Sequence, residues 1–245
     1  MTPLGIFLES RIFAQRLVWS SPARAWLWPP KVQRIGRKVT IVRRELLKEN
    51  YDLIVDGFPR SGNSSIAAGL GIRHPELRIR THCHQAIHVI QAVKHHRKRA
   101  VVQLRHPIGA IPSAARHQKW SLFGATARYC AYYESLLPYL FDVLVVDFSL
   151  VAQRVIDGIA EISSRSGLWS VNGANPVTIE NLRDSVLRLP WGHQDSTSSW
   201  PSVSSKLLTQ SLVSHFEANS DLFNRSLRVW TAIRDRSLKA GTLIR

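Results

Sequence analysis

The chain has 245 residues, with 33 Lys and Arg against 17 Asp and Glu, a formal net charge of +16. That length suits one α/β domain with a substantial core rather than two, and the positive field attracts anionic small molecules or polyanions. Cys83 and Cys130 are its only cysteines, which argues against a disulfide-dependent scaffold and leads us to expect a cytoplasmic protein.

The first 50 residues form a distinct aromatic and basic segment ahead of a domain spanning residues 51–245. Residues 4–19 are apolar with Glu9, Arg11 and Arg16 interspersed; Trp26-Leu27-Trp28-Pro29-Pro30 follows, and residues 31–44 are strongly basic. No uninterrupted apolar run reaches the ~20 residues that span a bilayer. The basic, apolar and small-residue order of a signal peptide is missing too. Such a segment either packs across the back of a sheet, which we prefer, or makes a peripheral contact with an anionic membrane.

Leu53-Ile54-Val55 reads as a buried strand and runs into Gly57-Phe58-Pro59-Arg60-Ser61-Gly62-Asn63-Ser64-Ser65, followed by a helical segment over residues 64–71. Two glycines at the P-loop spacing let successive backbone N–H groups turn inward on an anion, and the helix start adds its positive dipole end. Asn63 stands where an ATPase loop needs lysine, and the nearest cation is Arg60, inside the loop. A phosphorylated nucleotide is therefore expected, without the machinery for ordinary ATP or GTP hydrolysis; a plain tight turn is the simpler alternative.

Residues 77–84 alternate as a short strand that ends Arg80-Thr81-His82-Cys83-His84. Neutral imidazole, with an ordinary pKa of about 6.5, suits proton abstraction near pH 7. His82, His84 and His88 also raise a metal reading, but no carboxylate or second cysteine joins them at a familiar spacing, so no metal is expected. A helix over residues 85–97 ends in a basic run that includes His95 and His96.

Ala100-Val101-Val102-Gln103-Leu104 reads as a second buried strand, ending in Arg105-His106-Pro107 with Ser113 two turns into the next helix. Pro107 fits just inside a helix start. A helix over residues 122–140 follows, and the aromatics Trp120, Phe123, Tyr129, Tyr132 and Tyr133 around it either face an acceptor or, as we prefer for most of them, fill the core. The run Val143-Leu144-Val145-Val146-Asp147 is another buried parallel strand. Asp147 at its end also matches an Mg²⁺-holding aspartate, the best argument for a Mg²⁺-dependent nucleotide kinase or NTPase.

After a helix over residues 150–164, residues 167–205 loosen into Gly, Asn, Ser, Pro and Trp with one helix at 177–187. This stretch is either a lid or acceptor-facing segment, with Trp191, His193 and Trp200 as contacts, or a plain surface loop. Two helices over residues 204–233 follow. Strands alternating with helices imply a P-loop-like three-layer α/β fold, a central parallel sheet flanked by helices, with the three motifs at carboxyl ends of strands.

Pro59-Arg60-Ser61-Gly62-Asn63-Ser64 resembles the P-[K/R]-S-G-[T/S/N]-[T/S] loop of the sulfotransferases that use 3′-phosphoadenosine 5′-phosphosulfate (PAPS). Arg105, Pro107 and Ser113 are similar to that family's R-x-P-x5-S element, and Arg80-Thr81-His82 to its K-T-H strand end. The resemblance covers about residues 51–161. It implies PAPS as donor, held by Arg60, Ser61, Gly62, Asn63, Ser64 and Ser65 of the loop and by Arg105 and Ser113 at the 3′-phosphate. It further implies His82 as general base, with Arg60 and Arg80 as assisting cations, and a hydroxyl or amine acceptor on a small molecule or carbohydrate. His84 remains a rival base. A non-catalytic anion- or membrane-binding protein on the same fold is a third possibility, while nucleic acid is not expected because no RNA- or DNA-reading motif accompanies the charge.

Overall fold

The computed structural model describes residues 2–20, 34–35, 38–39, 51–94, 97–167, 175–188 and 203–244. A five-stranded, all-parallel sheet organises them: β1 (Leu53–Gly57), β2 (Ile79–Thr81), β3 (Arg99–Leu104), β4 (Leu144–Asp147) and β5 (Leu243–Ile244), in spatial order β2-β1-β3-β4-β5. Arg34–Ile35 and Lys38–Val39 pair separately as a short antiparallel ladder.

The strands are apolar on both sides, and their period of two divides them between two cores. Leu53, Val55, Val101, Val146 and Ile244 face α2 (Asn63–Arg73), α6 (Phe148–Gln153), α7 (Val155–Arg165) and α8 (Ile179–Arg188). Ile54, Val102, Leu104, Val145 and Leu243 face the opposite core. That second core is covered by α1 (Pro3–Ser20), α3 (Ala86–Lys94), α4 (Pro107–Gln118), α5 (Leu122–Leu136), α9 (Val203–Ala218) and α10 (Ser220–Lys239). Each fully buried aliphatic side chain contributes about 1.5–3 kcal/mol relative to exposure.

The chain leaves β1 through α2 on one face to reach β2, then returns through α3 on the other face, past β1, to β3. The winding direction therefore switches between β1 and β3. In open α/β sheets this switch point, at the carboxyl ends of the strands, is the edge where ligands bind, and the loop after β1 and the turn into α4 both lie there.

The helix expected over residues 150–164 is two. Asp147 caps α6 by accepting the Ser149 N–H at 2.9 Å, and the chain breaks at Arg154, whose N–H closes α6 on the Leu150 carbonyl at 2.8 Å. The helix expected over 122–140 stops at Leu136 and tightens into a 3₁₀ turn, Leu137–Tyr139, that accommodates Pro138. Within residues 167–205, α8 is anchored on α2: Leu182 and Val186 are buried against it, and Asn175 bonds the carbonyls of Ile72 and Arg73 at its carboxyl end. Trp191, His193 and Trp200, like His95, His96 and residues 21–30, lie outside the described residues.

Helix α1 buries Leu8 and Ile12 against α5 and leaves Ile6, Phe7 and Phe13 exposed. No helix among the described residues is long and apolar enough to cross a membrane.

Candidate functional site

The loop after β1 is shaped from beneath. A Cβ at Gly57 would stand 2.8 Å from the Gln103 carbonyl oxygen and 2.9 Å from Asn63 Oδ1, so β1 can approach β3 and the start of α2 only with glycine there. Arg60 (φ 69°) and Gly62 (φ 87°) are both left-handed and flank Ser61. Left-handed residues alternating with right-handed ones aim successive N–H groups into one concavity, and α2 starts immediately afterwards. For Arg60 that conformation costs about 1–2 kcal/mol, since it carries a Cβ. Phe58 anchors the loop edge-on to Tyr129, with ring centroids 5.2 Å apart.

Not every loop side chain faces outward. Ser61 is fully buried, and Asn63, 3% exposed, turns inward to donate from Nδ2 to the Gly57 carbonyl at 3.2 Å. The residue in the lysine position is thus an internal brace, and the loop's own cation comes from Arg60. Ser64 opens the first turn of α2 toward β2, while Ser65 donates its N–H back to Gly62 at 3.1 Å.

Arg105 leaves the end of β3 and donates from Nη1 to the Arg60 carbonyl at 2.5 Å. Its guanidinium stacks 4.3 Å from the Phe148 ring centroid. Arg60 extends to α4, where Nε donates to Ser113 Oγ at 3.4 Å. Pro107 is the first residue of α4, as the sequence implies, and His106 caps the helix. Burial, and then the charge of Arg60, pull the Arg105 guanidinium down to about 10. Burial and Arg116 likewise lower Arg60. Among the described residues no carboxylate pairs with Arg60, Arg105 or Arg116. Partly buried like charges without counter-charges are costly unless an anion joins them.

Across the crevice, His82 (φ 59°) and His84 (φ 51°) follow β2 in left-handed conformations, their rings edge to face with centroids 5.4 Å apart. His82 Nε2 lies 2.9 Å from Ser64 Oγ and Nδ1 lies 3.1 Å from Thr81 Oγ1. Burial, and then His84, push the His82 imidazole down to about 3. His84 Nδ1 lies 2.9 Å from the Gly57 carbonyl oxygen, and its backbone N–H donates to Asp56 Oδ1 at 3.0 Å. Asp56 is fully buried and accepts the Tyr132 hydroxyl at 3.3 Å. Burial raises its carboxyl, opposed by the neighbouring imidazole and N–H groups.

The structure thus joins Arg60 to Arg105 and Ser113, and Ser64 to His82. Arg80 is drawn elsewhere: its guanidinium is 5.5 Å from the Tyr51 ring centroid and beside the Cys83 thiol. Tyr129, Tyr132 and Tyr133 are fully buried; Tyr129 and Tyr133 donate to the strand-end carbonyls of Arg105 (2.7 Å) and Gln103 (2.6 Å). Asp147 sits beyond β3 from the loop and is engaged as a helix cap. Among the described residues, no three His, Cys, Asp or Glu side chains gather as a metal site.

Sequence reasoning missed Asp56, Arg116 and Phe148. Arg116 had a signal, since it follows Ser113 by three residues on α4 and so shares its face. Comparison of the chain with protein-family models, curated proteins and solved structures returns no match.

Proposed function

We propose that this protein is a sulfotransferase that moves a sulfuryl group from PAPS to a hydroxyl or amine on a small molecule or carbohydrate. The observation that carries this reading is the group Arg60, Arg105 and Arg116, which has no carboxylate partner among the described residues and lies beside a loop leading into a helix start and opposite two imidazoles. An anionic donor carrying two phosphates supplies the counter-charge that this joined group lacks. Arg105 and Ser113 would hold the 3′-phosphate, while loop N–H groups, Arg60 and Ser64 would hold the 5′-phosphate as it becomes the leaving group. Catalysis in this scheme is mainly positioning and charge stabilisation. A histidine after β2 takes the acceptor's proton.

The kinase alternative draws no comparable support. The strand beside the loop strand ends Gln103-Leu104-Arg105 without a carboxylate, and Asp147 already accepts the Ser149 N–H. Calorimetric titration with 3′-phosphoadenosine 5′-phosphate in EDTA tests the proposal. Binding at least tenfold tighter than that of ADP, which lacks the 3′-phosphate, is expected. Equal affinities would reject it, and ATP turnover abolished by chelation would favour the kinase reading instead.

A further inference from the structure

We infer that His84 is the general base of the transfer step and that Asp56 is the buried group that orients it. The inference rests on the transferase reading and follows from which ring nitrogen is engaged. The Gly57 carbonyl oxygen can only accept a hydrogen bond, so the neutral His84 ring 2.9 Å away must carry its proton on Nδ1. Nε2 is then the lone-pair nitrogen, and among the described residues no hydrogen bond engages it. The His84 side chain is 26% exposed, enough to meet a substrate in the crevice. His82 is placed differently, with Nε2 against Ser64 Oγ and Nδ1 against Thr81 Oγ1.

The surroundings of His84 suit a base. Asp56 Oδ1 lies 3.8 Å from Nδ1 and also receives the His84 N–H, while Oδ2 receives the Tyr132 hydroxyl. A fully buried aspartate with no Lys or Arg partner among the described residues is a costly feature of a strand that is otherwise apolar from Leu53 to Val55. It gains a counter-charge when His84 becomes imidazolium. The ring is held by its Nδ1 contact to the Gly57 carbonyl, while the bond from the His84 backbone N–H to Asp56 fixes the left-handed backbone that carries it. This is the arrangement of a base fixed in one tautomer by its second nitrogen.

In the step itself, the acceptor oxygen forms a bond to sulfur as its proton passes to His84 Nε2. The bond between sulfur and the bridging 5′-phosphate oxygen breaks, and its electron pair stays on that oxygen. His82 acts as a positioning residue, holding the Ser64 hydroxyl at the mouth of α2 for the leaving phosphate.

The test needs no identified acceptor, because water serves as one: PAPS is supplied and release of 3′-phosphoadenosine 5′-phosphate is measured, alongside its binding by calorimetry. His84→Ala is expected to slow release about 10²-fold or more with binding within about threefold of the parent. Asp56→Asn, which preserves shape, is expected to slow it at least tenfold, again without loss of affinity. His82→Ala is expected to cost about tenfold or less. Long-range ¹⁵N–¹H spectra of the imidazoles give a reading independent of turnover, with His84 protonated on Nδ1 in the parent and that preference weakened by Asp56→Asn. If His82→Ala abolishes release while His84→Ala does not, or if the parent's His84 carries its proton on Nε2, the assignment is overturned. A parent that fails to bind the bisphosphate defeats the transferase reading instead.

Discussion

Arg105 Nη1 donates to the backbone carbonyl of Arg60 at 2.5 Å, tying the end of β3 to the loop that follows β1. One guanidinium thereby sets the loop's shape and contributes charge to its mouth, with the Phe148 ring behind it at 4.3 Å. Arg105→Ala removes a charge-assisted bond, a stacking contact and a cation, so affinity for 3′-phosphoadenosine 5′-phosphate should fall about 10–100-fold by calorimetry. Arg105→Lys keeps the charge without the planar fork and should fall between the parent and alanine. A lysine variant no better than alanine would mean that the fork, rather than charge, governs binding.

Gly57 and Gly71 make opposite predictions on one polypeptide stretch. A methyl at Gly57 meets the Gln103 backbone carbonyl, which cannot retreat without distorting β3, and Asn63 Oδ1, which can turn away only by giving up the side chain's bond to the Gly57 carbonyl. Gly57→Ala should cost about 1–3 kcal/mol in urea unfolding and weaken nucleotide binding. At Gly71, inside α2, a methyl meets nothing within 4 Å, so Gly71→Ala should stabilise by about 0.5–1 kcal/mol and leave binding unchanged. Similar behaviour of the two variants would contradict the packing beneath the loop.

The parallel sheet and the loop are legible because each rests on local pattern: apolar strands, a paired-glycine turn, and a proline just inside a helix. β5 is not, because Leu243 and Ile244 are a strand only through pairing with Val145 and Val146, a contact across about a hundred residues that no periodicity announces. The candidate site divides in the same way. Arg60, Arg105 and Ser113 belong to readable motifs, whereas Asp56 looks like an ordinary strand-end aspartate. Its meaning depends on Tyr132, 76 positions away, and on a left-handed turn at His84.

Asp52 and Arg78 fasten the opposite, amino-terminal end of β1 to the chain entering β2. Asp52 Oδ2 accepts the Arg78 backbone N–H at 3.0 Å and its Nε at 3.1 Å, while Oδ1 accepts Nη2 at 2.9 Å. The Arg78 side-chain and backbone hydrogen bonds lower the Asp52 carboxyl to about 2, against 3.8 ordinarily. Because the folded value lies below the unfolded one, the pair's contribution is present above pH 3.8 and disappears as pH falls through about 2. Both side chains are partly solvated, so the effect is small. Melting curves should show Asp52→Asn less stable than the parent at pH 6, with the gap closing as pH falls through about 2 and gone below it; a gap that persists there would mean the asparagine disturbs something other than charge.

Arg225 is the hub that holds α1 on the domain. It is paired with Glu9 of α1 through Nε and, at 3.1 Å, through Nη2, and its Nη2 also lies 2.5 Å from Glu134 of α5. Arg225 and Glu134 side chains are only 14% and 11% exposed, so these charges interact with little water between them. Although burial acts in the opposite direction, the two carboxylates raise the guanidinium's affinity for its proton. Among the described residues, Arg225→Ala leaves Glu134 with Arg16, at 3.4 Å, as its one ion-pair partner and leaves Glu9 with none. Loss of one partner from a mostly buried ion pair costs about 3–5 kcal/mol, reduced here because Glu9 is 41% exposed, so a destabilisation of about 2–3 kcal/mol is expected. The loss should be local first: amides of α1 should exchange faster with deuterium at concentrations of urea that leave β1 and β3 protected. Uniform acceleration across the sheet would show instead that α1 and the central strands open together, with the Arg225 contacts part of one cooperative core.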